Sequence, residues 1–304
     1  MLIKTDFRAG ENNEEILPEN GTGLPYRCLL TDLGNFINGD FPWHWHAELE
    51  IDYIAEGEVF LRTGEEMALL QKGEAIFVNS GVMHAFRAVP GKECQVYAHL
   101  FDMHYLSGAP GSLLEQKYLL PVIRSQSLQT FHIRPDSDRN LRMIADLNKM
   151  AELIREEAFG YEFAIRSELS ALWCLLFQQT EEIRARTVVR NRQDEERIKV
   201  MVGFIHEHYR EHITLEDIAK AANVSGRECS RCFKRCINDS PFGYLNRYRV
   251  QTAARMLLQS GDSIMTIGEN CGFSSNSYFG RVFHDMIGCT PSEYRNGKGR
   301  SGAL

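Results

Sequence analysis

The last stretch of the chain, from Ile213 to Arg295, carries one sequence pattern twice. Six positions of the first copy recur fifty residues later with the same or an equivalent residue, from Ser225, Arg231, Phe233, Ser240, Pro241 and Tyr244 to Ser275, Arg281, Phe283, Thr290, Pro291 and Tyr294. Upstream of each serine the offset is forty-nine, so the second copy has one extra residue near Ser274. Self-similarity at a fixed period indicates a duplicated supersecondary unit.

Each copy predicts a helix, a tight turn and a second helix. Thr214 is placed to cap the first helix, whose inward stripe has the spacing i, i+3, i+4, i+7. Asn223 then tolerates the left-handed conformation that a tight turn requires, and Gly272 supplies it in the second copy. Ser225, with Glu228 three residues later, forms a capping box, which predicts that the second helix begins there.

The second helix of the first unit is predicted to be amphipathic. Its apolar face has helical spacing and consists of Cys229, Cys232, Phe233 and Cys236. Its other face is cationic and carries Arg227, Arg231, Lys234 and Arg235. One helix face offers three thiols in a line rather than at the corners of a tetrahedron. We therefore interpret the cysteines as core residues and not as a zinc site.

Two further helices are predicted where a capping hydroxyl precedes a proline, at Ser240-Pro241 and at Thr290-Pro291. The first of them, Pro241 to Gln259, is long enough to join the two units.

The C-terminal hundred residues resemble the DNA-binding domain of the AraC family of bacterial transcription regulators. The segments SPFGYLNRYRVQTAARMLL, IGENCGFSSNSYFGRVF and GCTPSEYR follow the signature of that family. The resemblance implies two helix-turn-helix units whose recognition helices enter successive major grooves on one face of the DNA. The residues that it places against base edges are Arg227, Ser230 and Arg231 in the first recognition helix and Asn276, Ser277, Gly280 and Arg281 in the second.

The chemistry of these residues agrees with that assignment, because an arginine can donate to O6 and N7 of guanine at once. A phosphate contact is the alternative for Arg281. Gly268 stands where the family usually has alanine, and a glycine inside a helix costs about 1 kcal/mol relative to alanine. We therefore expect the second unit to be the less stable one.

The charge of the chain is divided unevenly between its two parts. The net charge of −7 alone argues against a nucleic-acid-binding protein. Residues 1–194, however, hold 19 Lys and Arg against 29 Asp and Glu, whereas residues 195–304 hold 15 against 12. An acidic front part joined to a modestly basic tail is typical of a regulator whose tail contacts phosphates.

The front part predicts an arm and a β-domain. Residues 1–25 are polar and are predicted to form a flexible N-terminal arm. Residues 26–135 contain short apolar runs separated by turns, which predict a β-barrel or sandwich. The predicted fold is therefore multidomain: an N-terminal all-β cupin (jelly-roll) barrel with trailing α-helices, followed by an all-α domain of two helix-turn-helix units joined by a long helix.

Four polar residues in the predicted barrel form a second constellation, His44, His46, Glu50 and His84. With the glycines at 57, 73 and 81 they resemble the two cupin motifs, HxH-x3-E-x6-G and G-x5-P-x-G-x2-H, with Asn79 in place of the usual proline. His44, His46 and Glu50 share parity, so one extended strand would direct all three into the barrel.

Three interpretations of this constellation stay open. The four residues are a suitable set for a divalent metal such as iron, manganese, nickel or zinc. They can equally bind the hydroxyls of an organic effector without any metal. They can also be structural. The resemblance to sugar-sensing regulators implies a carbohydrate as the effector class. Trp43 and Trp45 have the opposite parity and are predicted to cover the outside of the barrel against the arm or a helix.

Residues 136–180 are predicted to form two amphipathic helices. The second of them has a wide stripe that includes Trp173 and Phe177. The resemblance implies that these helices form a homodimer interface, and the alternative is that they pack on the barrel. Residues 181–197 are charged and are predicted to be a linker, and residues 198–304 to be the DNA-binding domain.

The sequence as a whole predicts a ligand-responsive transcription factor and not an enzyme. A metal-dependent cupin enzyme fused to a DNA-binding domain is the alternative, and a barrel that only dimerises is a third reading. If the regulator activates transcription, RNA polymerase would be a further partner. The sequence shows neither a signal peptide nor an apolar run near eighteen residues, which predicts a cytoplasmic protein with reduced thiols and no membrane partner.

Overall fold

The structure is a computed structural model that describes residues 3–4, 7–10, 12, 14–64, 66–186 and 192–297. Parts of the predicted arm (1, 2, 5, 6, 11 and 13) and of the predicted linker (187–191) lie outside the described residues. Among the described helices, none combines the length and the apolar composition needed to cross a membrane.

Within the described residues, ten strands form two sheets that face each other. The strands are β1 (Ile3–Lys4), β2 (Tyr26–Asp32), β3 (Asp40–His44), β4 (Leu49–Glu56), β5 (Glu58–Thr63), β6 (Glu66–Gln71), β7 (Ala75–Val78), β8 (His84–Ala88), β9 (Gln95–Phe101) and β10 (Thr130–Ile133). One sheet has the order β1-β2-β9-β4-β7-β10 and the other has the order β3-β8-β5-β6. The predicted all-β barrel is therefore confirmed.

Two strands of the barrel, β3 and β10, pair with strands that lie far away in the chain. The first is β3, which pairs antiparallel with β8, a strand that follows forty residues later. The second is β10, which lies at the edge of the six-stranded sheet beside β7. Both depend on a distant partner strand rather than on an alternating pattern of their own.

Helices cover the outer face of the six-stranded sheet. They are α1 (Met103–Ser107), α2 (Leu120–Ile123), α3 (Asp138–Glu156), α4 (Tyr161–Gln179) and α5 (Glu181–Arg184). Trp173 of α4 is buried, and its ring centroid lies 6.0 Å from those of Phe77 and Phe101 in the sheet. The wide apolar stripe of α4 is thus covered by its own barrel. The width of that stripe is therefore explained without a partner subunit.

The C-terminal domain is helical, as predicted. Its helices are α6 (Arg192–His208), α7 (Leu215–Ala221), α8 (Gly226–Ile237), α9 (Pro241–Gln259), α10 (Ile264–Asn270), α11 (Asn276–Ile287) and α12 (Pro291–Arg295). Helix α6 begins inside the segment that was predicted to be a linker, so the predicted linker end at residue 197 is wrong. Its buried stripe is Ile198, Met201, Val202 and Ile205.

The turns of the two helix-turn-helix units have the predicted conformations. Asn223 has a φ of 54° and Gly272 a φ of 79°. Thr214 caps α7 in a capping box with Asp217, and Thr290 caps α12 in the same way. Ser225 caps α8 by accepting a hydrogen bond from the backbone N–H of residue 228.

The side chain of Glu228 does not complete the predicted capping box at α8. Its carboxylate instead accepts a hydrogen bond from Arg235 at 2.7 Å.

The two domains pack on each other through the four-stranded sheet. Trp43, Met83 and Ala85 of the barrel belong to one apolar cluster with α6, α7 and α8. Asp40 of β3 makes ion pairs with Arg62 and Arg87 of the barrel. On the side of the second unit, Asn38 donates a hydrogen bond of 2.9 Å to the carbonyl of Met286 at the end of α11.

Candidate functional site

The three histidines of the barrel meet inside it. One ring nitrogen from each of His44, His46 and His84 lies within 4.8 Å of one from each of the others. All three rings are buried, and the His44 and His84 centroids are 4.0 Å apart because the two residues are direct partners across β3 and β8. Glu50 joins them, since its Oε2 lies 3.1 Å from Nε2 of His46 and 3.0 Å from Nε2 of His84.

The prediction that one strand carries His44, His46 and Glu50 is wrong. His44 is the last residue of β3, Glu50 lies on β4 in the other sheet, and His46 lies in the connection between them. The chain turns a corner of the barrel here, so the residues converge from both sheets.

A backbone carbonyl fixes the orientation of each imidazole. Nδ1 of His44 donates to the carbonyl of Pro42 at 2.9 Å, and Nδ1 of His84 donates to that of Val82 at 2.9 Å. Nδ1 of His46 donates to the carbonyl of Glu48 at 3.1 Å. A carbonyl can only accept, so Nδ1 carries the hydrogen in each ring. Nε2 of each ring is therefore the atom that faces the interior of the barrel.

Burial and mutual contact shift the pKa values of these groups in opposite directions. Burial raises the pKa of Glu50, but the neighbouring His46 and the hydrogen bonds from His46 and His84 outweigh it and hold this pKa well below its usual range. Burial lowers the pKa of His46, and the charge of Glu50 outweighs it and raises this pKa to about 9. Burial, followed by the charges of His84 and His46, lowers the pKa of His44.

Two carboxyl groups that sequence reasoning missed complete the site. Burial and the charge of Glu50 raise the pKa of Asp52 well above its usual range. Asp52 is two residues from Glu50 on β4, so the period-two rule could have placed it inside the barrel. Burial raises the pKa of Glu15 to about 7, and its Oε2 lies 3.6 Å from Nε2 of His44. No local sequence signal marks Glu15, because it comes from the predicted arm.

The described part of the predicted arm packs on the barrel. The backbone N–H of Glu15 donates to the carbonyl of Trp45 at 2.8 Å, and the Phe7 ring packs edge-on against His44, with centroids 5.7 Å apart. Trp45 Nε1 donates to the carbonyl of Asn12 at 2.8 Å, and Lys199 of α6 lies over the Trp45 ring at 3.9 Å. The prediction that Trp43 and Trp45 cover the outside of the barrel is therefore confirmed.

A small cavity lies beside the histidines. Its walls include Glu15, Thr31, His44, Glu50 and Asp52, and apolar side chains form the rest. The cavity volume is about 20 Å³. This is enough for one or two water molecules and not for a sugar ring.

Asn79, the residue that replaces the proline of the cupin motif, has a structural role. Its side-chain N–H groups donate to the carbonyls of Val122 and Leu128, both at 2.8 Å, and its Oδ1 accepts from the backbone N–H of Ser80.

The residues proposed to contact DNA lie on two recognition helices. In α8 the side chains of Arg227, Ser230 and Arg231 are exposed. In α11 Asn276, Ser277 and Arg281 are exposed, and Gly280 is half-buried. The opposite faces are buried by Cys229, Cys232 and Phe233 in α8, and by Phe279, Val282 and Phe283 in α11. Each recognition helix therefore presents its polar side to solvent.

Arg235 does not share the exposed role predicted for the cationic face of α8. It donates to the carboxylates of Asp194 at the start of α6 and of Glu228. Cys232 lies with its Sγ 3.3 Å from the carbonyl of Asp194, so the cysteine stripe packs against α6 as a core. The interpretation of these cysteines as core residues agrees with that packing.

Comparisons with known proteins match both halves of the chain. The AraC-like ligand-binding domain family matches residues 33–159, and a helix-turn-helix domain family matches residues 218–297. An uncharacterized helix-turn-helix transcriptional regulator of Bacillus subtilis, YdeC, is 29% identical over 298 residues, which are 95% of this chain and 98% of that protein. The melibiose operon regulatory protein of Escherichia coli is 25% identical over 267 residues, 83% of this chain and 82% of that protein.

Among solved structures, an AraC-type transcriptional regulator from Chromobacterium violaceum is 30% identical. The matched region covers 36% of this chain and 96% of the regulator's chain, with a TM-score of 0.33.

The fold and the site define a two-domain transcription regulator, with a ligand-binding barrel and a double helix-turn-helix domain. The chain belongs to the AraC family. Regulators of this family respond to a small ligand and bind DNA.

Proposed function

We propose that this regulator reads a specific DNA sequence through α8 and α11 and responds to a small ligand bound among the barrel histidines. The observation that carries the proposal is the exposure of polar side chains on both recognition helices while their opposite faces are buried. Arg227 and Arg231 of α8 would donate to guanines, and Ser230 would adjust the fit between them. Asn276, Ser277, Gly280 and Arg281 of α11 would read a second major groove one helical turn away.

Fluorescence anisotropy on DNA selected by the wild-type protein from a random-sequence library tests the DNA-binding residues. We expect Arg231→Ala to weaken specific binding by about 1–3 kcal/mol, and the salt dependence of the wild type to be steep. Arg139→Ala is the matched control, because Arg139 is an exposed arginine of α3 in the other domain. If Arg227→Ala and Arg231→Ala together leave specific binding intact, the placement of the first recognition helix is wrong.

The ligand site is proposed at His44, His46, Glu50 and His84, which converge inside the barrel. A carbohydrate effector is supported by the name of the melibiose operon regulatory protein alone, and the barrel would have to open to admit one. A thermal-shift screen of the metal-stripped protein against sugars and sugar acids tests this part. A ligand at a hundred times its Kd should add about 2.7 kcal/mol to the free energy of unfolding.

His46→Ala should abolish any ligand-induced rise in melting temperature. His104→Ala is the control, because His104 lies on α1 outside the barrel and contacts Asp102. A rise that survives His46→Ala would place the ligand elsewhere.

Three further parts of the proposal concern partners and location. A homodimer is supported by exposed apolar side chains at the tip of the α3–α4 hairpin, where Phe159 and Phe163 face solvent. Sedimentation of the wild type and of Phe163→Ser would test it, and identical masses would remove this surface from the proposal.

The role requires access to DNA and therefore the cytoplasm, which cell fractionation would check. If the regulator activates, RNA polymerase is a partner, and transcription with purified polymerase would reveal it.

A further inference from the structure

We propose that Glu228 is a positioning residue for base recognition, because its carboxylate, held by Arg235, orients the guanidinium of Arg231 toward a guanine. Arg235 serves as the anchor, since it ties Glu228 to the buried Asp194 of α6. The inference deepens the proposed function and rests on it in one respect, because it takes Arg231 to be a base-reading residue. It assigns a determinant of DNA specificity to a side chain that contacts no base.

Glu228 lies in the first turn of α8, where a glutamate three residues after the cap usually bonds the backbone N–H of the capping residue. Two arginines engage its carboxylate instead. Oε1 accepts a hydrogen bond from Nη2 of Arg235 at 2.7 Å, and Oε2 lies 3.4 Å from Nη1 of Arg231. The three residues have the spacing i, i+3, i+7, so they form one line along the surface of the helix. The carboxylate is therefore shared between an inner and an outer arginine.

The inner arginine is fixed in the protein. Nε and Nη2 of Arg235 lie 2.9 and 2.7 Å from Oδ2 of Asp194, which is in the first turn of α6 and is only 4% exposed. Asp194 also pairs with Arg197 at 3.5 Å. A buried carboxylate holds its partners firmly, because a buried charge without a partner is costly. Arg235 therefore presents a fixed donor to Glu228.

The Glu228 carboxylate carries its charge in this position. The hydrogen bond from Arg235 lowers the pKa of the Glu228 carboxyl, and the charge of Arg231 acts in the same direction. An isolated ion pair on an exposed helix surface contributes little to stability. Here one of the carboxylate oxygens is held from the inner side, so we expect the pair to affect the direction of Arg231 more than the stability of the domain.

The outer arginine is free to meet DNA. The Arg231 side chain is 60% exposed, whereas that of Glu228 is 28% exposed. A guanidinium has five N–H donors. With Nη1 toward the carboxylate, donors remain for O6 and N7 of a guanine. An arginine that is already oriented loses less side-chain freedom when it binds. The negative charge of Glu228 also opposes non-specific contacts between the recognition helix and phosphates. Both effects favour the specific site over other DNA.

The test measures the base preference of the full-length protein by fluorescence anisotropy, on the DNA that the wild type selects. Each base pair of the site is replaced in turn. The position at which Arg231→Ala no longer distinguishes the bases identifies the guanine that Arg231 reads. The preference there is the ratio of the Kd values for the replaced and the selected base pair. Non-specific affinity is measured on an unrelated duplex of the same length.

We expect Glu228→Gln to lower the preference at that position by roughly 2- to 10-fold, the factor by which the ordering of one free side chain weakens binding. It should raise the non-specific affinity, because one negative charge leaves the recognition helix. Preferences at the positions read by α11 should stay at their wild-type values. In a protein that already carries Arg231→Ala, the added Glu228→Gln should have no further effect on base preference.

Glu216→Gln is the matched control. Glu216 is an exposed carboxylate of α7 in the same helix-turn-helix unit, and its Oε1 would lie 3.6 Å from a Cβ added at Gly226, the first residue of α8. The control removes the same charge beside the recognition helix and leaves the line of contacts to Arg231 in place. It should raise the non-specific affinity and leave every base preference unchanged.

Arg235→Gln removes the anchor and should lower the same preference as Glu228→Gln. Thermal unfolding of each variant shows whether the domain is folded, which matters for Arg235→Gln because Asp194 loses a partner there. Glu228→Gln leaves the pair between Arg235 and Asp194 in place and decides the question if Arg235→Gln does not fold.

The possible outcomes separate this inference from the proposed function. An unchanged preference in Glu228→Gln at the position that Arg231 reads would overturn the positioning role and leave the recognition helix where it is proposed. The same loss of preference in Glu216→Gln would show that charge alone acts, and would also overturn it. If Arg231→Ala keeps every base preference, Arg231 reads no base. The proposed function then fails at this helix, and the positioning role fails with it.

Discussion

Trp43 and His44 are consecutive residues of β3 that face opposite sides of the same sheet. The His44 ring points into the barrel, where it lies 4.0 Å from the ring of His84. The Trp43 side chain is buried on the other side, in the apolar cluster that contains α6 and the first helix-turn-helix unit. One strand of five residues therefore touches both the proposed ligand site and the DNA-binding domain. A movement of β3 at the histidine has a direct route to that domain.

Replacing Trp43 should weaken the coupling between the proposed ligand site and the DNA-binding domain without removing either. We expect Trp43→Leu to bring the ratio of DNA affinities with and without ligand closer to one, because the contact between β3 and α6 is loosened. By linkage, DNA must then change the ligand affinity by the same reduced factor. Trp173→Leu makes the same change at the barrel face of α4, away from the domain boundary, and should leave the coupling ratio at its wild-type value. If both variants keep that ratio, β3 does not transmit the signal.

Asp40, at the other end of β3, should stabilise the domain interface. Its carboxylate lies 2.5 Å from Nη2 of Arg62, 3.2 Å from Nη2 of Arg87 and 3.9 Å from Nη1 of Arg247 in α9. Asp40→Asn removes the negative charge from among three guanidinium groups. We expect the free energy of unfolding in urea to fall by about 1.5–3 kcal/mol, since hydrogen bonds to charged groups are worth that much.

Arg87→Gln is the control for Asp40, because the Arg87 side chain is 42% exposed. An exposed partner contributes less than about 1 kcal/mol. A larger loss from Arg87→Gln than from Asp40→Asn would contradict this account of the cluster.

The helix-turn-helix units were predictable because their signals are local. A cap, a turn residue and a helical stripe lie within a few residues of one another, as at Thr214 and Asn223, and each has the predicted conformation. Helix α6 was missed although Ile198, Met201, Val202 and Ile205 have helical spacing. The charged run before them resembles a linker, but its Asp194 is buried and pairs with Arg235 of α8 and with Arg197 of α6 itself.

The candidate site was predictable in composition and not in geometry. Parity along the chain identified His44, His46 and Glu50 as facing inward, but not the corner that separates them onto two sheets. Glu15 could not be found, since its position depends on the packing of a polar segment on Trp45. The expectation that Gly268 only destabilises its helix was also incomplete. A Cβ there would lie 2.9 Å from a ring carbon of Phe279, so the glycine makes room for the recognition helix.

Gly272 should be the least replaceable glycine of the second unit. It has a φ of +79°, and a Cβ there would lie 2.3 Å from the carbonyl oxygen of Tyr209. Gly272→Ala therefore meets both backbone strain and a clash, and we expect a loss of about 3 kcal/mol or more. Gly288→Ala is the control, because it has a φ of +84° but nothing within 4 Å of the new Cβ. It should cost only the strain, about 1–2 kcal/mol. Equal losses in thermal unfolding would mean that the turn relaxes around the methyl group.

His206 and His99 should make each domain sensitive to acid. Burial lowers the pKa of His206 in α6 to about 3, followed by the charge of Arg255, and burial lowers the pKa of His99 in the barrel to about 3. The unfolded chain has a histidine pKa near 6.5 and binds more protons than the folded one between about pH 6.5 and 3. Stability is therefore present above pH 6.5 and is lost as the pH falls through that window, by up to about 1.4 kcal/mol per pH unit for each histidine.

Replacing either histidine should flatten the acid dependence of its own domain. Nε2 of His206 is hydrogen-bonded to the Tyr244 hydroxyl at 2.9 Å. The His206 ring also stacks on the Tyr248 ring, with centroids 3.9 Å apart. Glutamine can keep that hydrogen bond but cannot be protonated, so His206→Gln should remove about one proton from the slope of the helical domain's urea transition against pH. His99→Gln should do the same for the barrel. Because the two groups lie in different domains, a transition that unfolds one domain at a time should respond to only one variant. Unchanged slopes in both variants would show that the buried rings reach water before either domain unfolds.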